Sequence, residues 1–303
     1  MGKEVIFKKE DTFTSSSLIL PTQSIEDLLE QCKEWIAAME GGRVYGNNFA
    51  GKTCALNYVV QNLNQEYQGN LPIFTLLTRT SATNNEGAFW GEFLLDVGHA
   101  LTAYSRDNRG RERFIRFLIY KGTMTVRKQI VLFIDGTHKL ERTSLLWLNE
   151  AIGEIQKSRI TVSLIMIGGM EVTKIIHFIR PNQLENIGYI KDNTHRFIGL
   201  KDVSEFTLLF KRLAILQGED VNSFPAETMQ VIYTMFLAIW KQHQRDLELP
   251  MNYLMISLTY FFSQYRQPLS IQHIEELIIK SILQSGFDEY SKNKGLSDTY
   301  GKQ

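Results

Sequence analysis

Apolar residues recur along the chain with two periods, and the point where one replaces the other divides it. Ile25, Leu28, Leu29, Cys32, Trp35 and Ile36 fall three or four residues apart, as on one face of a helix. That helix is predicted from a cap at Ser24 to about Met39, where Gly41-Gly42 stops it. Arg43-Val44-Tyr45 then reads as a short strand, and Thr53 to about Asn64 as the next helix. A second strand is predicted over Ile73-Phe74-Thr75-Leu76-Leu77, with helices following at 87–103 and 110–121. Ile130-Val131-Leu132-Phe133-Ile134 is wholly apolar, as a strand buried on both faces should be. Helix 143–156, a strand from Thr161 to Ile167 and a fifth around Thr194 to Ile198 complete this part.

Beyond residue 200 the period is helical throughout. Segments 202–217, 226–245, 250–264 and 270–284 all carry it, with Pro225, Pro250 and Pro268 between or opening them. Strands alternating with helices, then helices alone, predict an α/β domain with a parallel sheet over 23–200 and a helical lid over 201–285. Residues 1–22, serine-rich at Ser15-Ser16-Ser17, read as an N-terminal arm, and 286–303 as a flexible tail.

Composition narrows the partners. Among 303 residues, lysine plus arginine equals aspartate plus glutamate at 33 each, so there is no overall field to draw the chain onto nucleic acid. Any DNA contact must come from a local patch. Two cysteines, Cys32 and Cys54, are too few for a disulfide scaffold and suggest a reducing compartment, with Cys54 read as a small buried residue. No apolar run is long enough to span a bilayer, and the charged start (Lys3, Glu4, Lys8, Lys9, Glu10, Asp11) lacks the apolar core of a leader. A cytoplasmic protein without membrane contact is expected.

The chemistry centres on Gly46-Asn47-Asn48-Phe49-Ala50-Gly51-Lys52-Thr53, a complete Walker A loop between a predicted strand and a predicted helix, with Cys54 directly after it. Such a loop aims backbone N–H groups at phosphates; Lys52 would reach the β and γ phosphates and the Thr53 hydroxyl would bind magnesium. ATP and Mg2+ are therefore the expected cofactors. Asp135, at the end of the apolar strand, would hold the same ion through its hydration shell as a Walker B aspartate; the other reading is a carboxylate capping a turn. Where many such ATPases carry a glutamate to orient the attacking water, this chain has Gly136, and His138, Lys139 and Glu141 come only later. ATP binding is expected, with hydrolysis slow or absent. His177, His195, His243 and His273 have no metal-ligand spacing, and Ile232, Met235, Phe236 and Ile239 are spaced as a helix core.

With these motifs and the lid in place, the sequence resembles the AAA+ regulators of DNA transposition, the TnsC/TniB group that includes those of CRISPR-associated transposons. The likeness covers roughly 22–284. It rests on Arg43-Val44-Tyr45-Gly46, on Phe133-Ile134-Asp135-Gly136-Thr137-His138-Lys139-Leu140, on Leu164-Ile165-Met166-Ile167-Gly168-Gly169, and on His195-Arg196-Phe197-Ile198-Gly199-Leu200. It implies an AAA+ P-loop NTPase fold, a five-stranded parallel sheet with a helical C-terminal lid. It also implies a homo-oligomer, ring or helical filament, assembled with ATP on duplex DNA and linking a target-selector protein to the transposase. Gly169 stands where the fourth strand of relatives ends in a polar sensor, and Pro250-Met251-Asn252 where many supply a sensor arginine. Arg180 and Arg196 are the candidates for an arginine acting in trans, Arg196 the better placed, with a surface salt bridge as its alternative role.

The densest basic run is Arg106, Arg109, Arg111, Arg113 and Arg116, continued by Lys121, Arg127 and Lys128. In the family that side of the domain faces the DNA channel, so these arginines are the DNA-binding candidates; a solvated helix face, diluted by Asp107 and Glu112, is the competing reading. The function expected overall is an ATP-dependent transposition regulator. A defence or signalling P-loop switch binding proteins rather than DNA is the alternative, and a plain motor ATPase a third.

Overall fold

The computed structural model describes residues 19–79, 85–99, 109–173, 192–220, 224, 226–243, 248–265, 271–287 and 289. Arg106, Asp107, His177, Arg180, most of the N-terminal arm and nearly all of the tail lie outside these residues.

Five strands form one parallel sheet: β1 (Gly42–Tyr45), β2 (Ile73–Leu77), β3 (Gln129–Asp135), β4 (Thr161–Gly168) and β5 (Thr194–Arg196). Their order is β2-β3-β4-β1-β5, which leaves β1 flanked by β4 on one side and β5 on the other. The register sets Val44 beside Ile167 and His195, and Ile134 beside Leu76 and Met166.

The apolar strands earn their central places by alternation. Ile130, Leu132 and Ile134 of β3, with Val162, Leu164 and Met166 of β4, face one hydrophobic cluster; Val131, Phe133, Ile165 and Ile167 face another. Burying each such side chain contributes about 2 kcal/mol, and a shift of one residue would exchange the two faces. The first cluster is closed by α3 (Glu86–Asp96), α4 (Gly110–Thr123) and α5 (Arg142–Lys157), through Phe89, Trp90, Phe93, Phe114, Leu118, Leu148 and Ile152. The second is closed by α1 (Gln23–Ala37) and α2 (Lys52–Tyr67), through Leu28, Trp35, Ile36, Leu56, Val59 and Leu63.

A third cluster joins α6 (Val203–Leu216), α7 (Ala226–His243), α8 (Met251–Gln264) and α9 (Ile271–Gln284), with Phe206, Phe210, Phe236, Phe261 and Phe287 at its centre. Ile19 and Leu20, at the end of the stretch read as an arm, join these clusters: Ile19 packs on the second and Leu20 on the third. Two local readings change. Helix α1 begins at Gln23 with Thr22 at its cap, and Ser24 is buried within the first turn rather than capping it. Helix α3 is shorter than predicted, because the chain turns at Gly98, where φ is +71°.

Candidate nucleotide site

The residues of the Walker A loop leave the C-terminal end of β1 and turn into α2. Gly51 makes that turn with φ +98°, in the left-handed region open to glycine. Phe49 also has positive φ, +62°, at a cost of about 1 kcal/mol for a residue with a Cβ. Its ring stacks edge-on against Tyr253 of α8 at 5.6 Å, and its carbonyl accepts from the Asn252 N–H at 3.3 Å. The loop is thus held from the helical side as well as from the sheet.

Lys52 folds back over this loop, and its Nζ donates to the carbonyls of Gly46 at 2.9 Å and Asn47 at 2.6 Å. The ammonium therefore sits within the ring of loop peptides, where a phosphate chain laid along the N-terminus of α2 would meet it. Next to it the Thr53 hydroxyl donates to Asp135 Oδ2 at 2.7 Å, joining residues 82 positions apart. The other carboxylate oxygen, Oδ1, accepts from the Gly136 N–H at 2.8 Å and so cannot swing away freely. A hydroxyl and a fixed carboxylate, both hard oxygen donors, would suit Mg2+, with Thr53 as the residue that would ligate it and Asp135 the one that would hold its waters. Bound there, the ion would neutralise phosphate charge.

Gly136 is more than a missing side chain. Its φ of +75° is left-handed, and it opens a single 3-10 turn, Thr137–Lys139. Thr137 pins that turn by donating to the Ile167 carbonyl at 2.9 Å. The turn carries His138 to the cleft, which it lines together with Asp135, Gly168 and Gly169. Gly169 thus reaches the cleft without a polar side chain to offer.

The cleft has a volume of about 520 Å³. Its lining combines the loop from Asn48 to Cys54 and Asp135 with the apolar side chains of Ile19, Leu20, Ile25, Phe197, Leu209 and Met255. That combination would suit a molecule with a polyanionic tail and a flat apolar base. Cys54, read as buried, is exposed and lines the cleft, because the first turn of α2 faces it; Cys32 is buried in the core. The apolar wall escaped the sequence reading: its residues come from the stretch before α1, from α1, from just past β5, and from α6 and α8, with no shared spacing.

Arg196, at the end of β5, forms an ion pair with Glu248 of the same chain. His195 beside it is half-buried, and loss of solvation holds its pKa below the usual histidine value, with Asp27 pulling upward and Lys201 downward. The arginine run is dispersed by comparison. Arg111 bonds Glu150 at 2.9 Å and Glu154 at 2.7 Å on α5, and Arg116 pairs with Glu112 one turn back on its own helix. Arg109 is exposed at the start of α4 and Arg113 half-exposed within it. Among the described residues, no helix is long and apolar enough to cross a membrane.

No protein-family model and no curated protein matches the sequence. Solved structures do match the fold. The ORC2 protein of Aeropyrum pernix in its ADP form aligns with TM-score 0.60 at 11% identity, over 87% of this chain and 70% of that one. The ORC1 protein of the same organism, in complex with DNA, gives 0.54 at 11% over 87% and 66%. The Walker-type ATPase paby2304 of Pyrococcus abyssi gives 0.56 at 12% over 93% and 77%. At such identities the likeness establishes the fold alone, and that fold is the AAA+ P-loop NTPase: a five-stranded parallel sheet with a helical C-terminal region.

Proposed function

We propose that the chain is an ATP-binding regulator of DNA transposition that assembles on duplex DNA and links target selection to a transposase, with slow or absent hydrolysis. The observation that carries nucleotide binding is the convergence of Lys52, Thr53 and Asp135 on a cleft that apolar side chains also line. Similar folds solved in an ADP form and in complex with DNA support the reading. The TnsC/TniB resemblance supplies the transposition role. Slow hydrolysis follows from Gly136, whose left-handed backbone disfavours any side chain there. The boundaries assigned to the lid, arm and tail belong to the same proposal.

Electron microscopy with ATP and duplex DNA tests it. Rings or filaments that require both are expected, and persistent monomers at low salt would rule the reading out. One observation favours the protein-binding switch instead: Arg111 and Arg116 spend their charge on neighbouring carboxylates. Filter binding at graded salt separates the two, because only the DNA reading gives a steep fall of affinity with salt.

A further inference from the structure

Glu248 lies two residues before the proline that opens α8, with 10% of its side chain exposed. Its Oε2 accepts from Asn47 Nδ2 of the phosphate loop at 3.0 Å, while Oε1 pairs with Arg196 of β5. Three segments, 201 and 52 residues apart in sequence, meet on one carboxylate. Asn47 is also the residue whose carbonyl holds the Lys52 ammonium at 2.6 Å. A continuous line of contacts therefore runs from Lys52 through Asn47 and Glu248 to Arg196.

The far end of that line is reachable from outside, since 53% of the Arg196 side chain is exposed. The near end responds to phosphate: an anionic oxygen is a stronger acceptor for an ammonium than an amide carbonyl, so a triphosphate competes with Gly46 and Asn47 for Lys52. Losing Lys52 would remove one of the contacts on the Asn47 carbonyl, the Ala50 N–H being another, and so change the setting of the amide that Glu248 holds.

We propose that Glu248 is a positioning residue through which the phosphate loop governs Arg196. It holds the guanidinium on its own subunit, and releases it toward a second copy of the chain when Lys52 turns to a triphosphate. The idea rests on the nucleotide reading above and deepens it, since it explains how ATP would gate assembly.

The test uses the full chain with three measurements: ATP binding by calorimetry, hydrogen exchange over residues 194–200, and assembly by sedimentation. In the wild type, ATP is expected to raise exchange over 194–200. Glu248→Gln keeps the shape and an acceptor for Asn47 but drops the charge holding Arg196. It should show raised exchange before ATP is added, and assemble at about tenfold lower ATP. Asn47→Ala cuts the line within the loop itself, so it is compared at saturating ATP; there it should leave 194–200 unresponsive, and it decides the matter if Glu248→Gln folds poorly. A wild type that binds no ATP removes the nucleotide reading itself. ATP binding with exchange over 194–200 unchanged overturns this inference alone, as does an Asn47→Ala chain that responds like the wild type.

Discussion

The phosphate loop and helix α4 are both places where cationic side chains were expected to meet a polyanion, and they are built differently. At the loop, Lys52 lies within 3 Å of two backbone carbonyls, and the adjoining Thr53 reaches a carboxylate 82 residues away. Strand ends, loop and lid all point into one cleft. On α4 the arginines divide: Arg109, Arg113 and Arg116, spaced i, i+4 and i+7, share one face, on which Arg116 pairs with Glu112, while Arg111 turns away to α5. A cluster of like charges in sequence is a patch only if the helix period and the neighbouring elements leave it one, whereas a loop's geometry is fixed by its own backbone. The loop is a built site; α4 offers at most two or three cations to a duplex.

The comparison can be broken first at its strong end. Lys52→Ala should weaken ATP binding by roughly a hundredfold or more, since it removes a charge-assisted contact inside a cleft; a calorimetric change below threefold would mean the loop is not the site. Asp135→Asn should lower affinity about tenfold with magnesium present and leave magnesium-free binding unchanged. An equal loss in both conditions would place Asp135 in a structural role.

At the weaker end, Arg109→Glu with Arg113→Glu should reduce DNA affinity and lower the salt dependence by about two phosphates' worth, with ATP affinity unchanged. Arg111→Ala should leave DNA binding intact. It should instead cost no more than about 1 kcal/mol of stability in denaturant titrations, because its partners on α5 are partly solvent-exposed. If Arg111→Ala costs DNA affinity as much as the double variant does, the distinction drawn within α4 collapses.

The smallest effect is on pH. The folded chain holds the His195 pKa below its ordinary value, so the unfolded chain takes up the proton first as pH falls. That contribution to stability is whole above about pH 6.5 and is lost as the pH drops through the folded value. Thermal melts from pH 7.5 downward should show this slope, and His195→Gln should flatten part of it.

Much of this was legible in the sequence, and unevenly. All five strands and every described helix lie within a few residues of the apolar pattern, α3 excepted, because burial on two faces leaves an unbroken apolar run and burial on one leaves a helical stripe. The Walker loop was legible because its chemistry is contiguous. Asp135 could be placed as the end of the most apolar strand. The alternative role weighed for Arg196, a salt bridge, has a partner in Glu248, which nothing in the sequence singled out. Cys54 was misjudged because the helix turn that exposes it is oriented by the cleft and not by its neighbours.

The sequence by itself determined the elements, their alternation and a Walker A loop, since each depends on residues close along the chain. Only the tertiary structure decided what stands around that loop. The strand order sets β4 and β5 beside β1, and α8 closes over Phe49. Glu248 is thereby set between Asn47 and Arg196. Those contacts join residues as many as 201 positions apart, and no local period records which distant segment a side chain will meet.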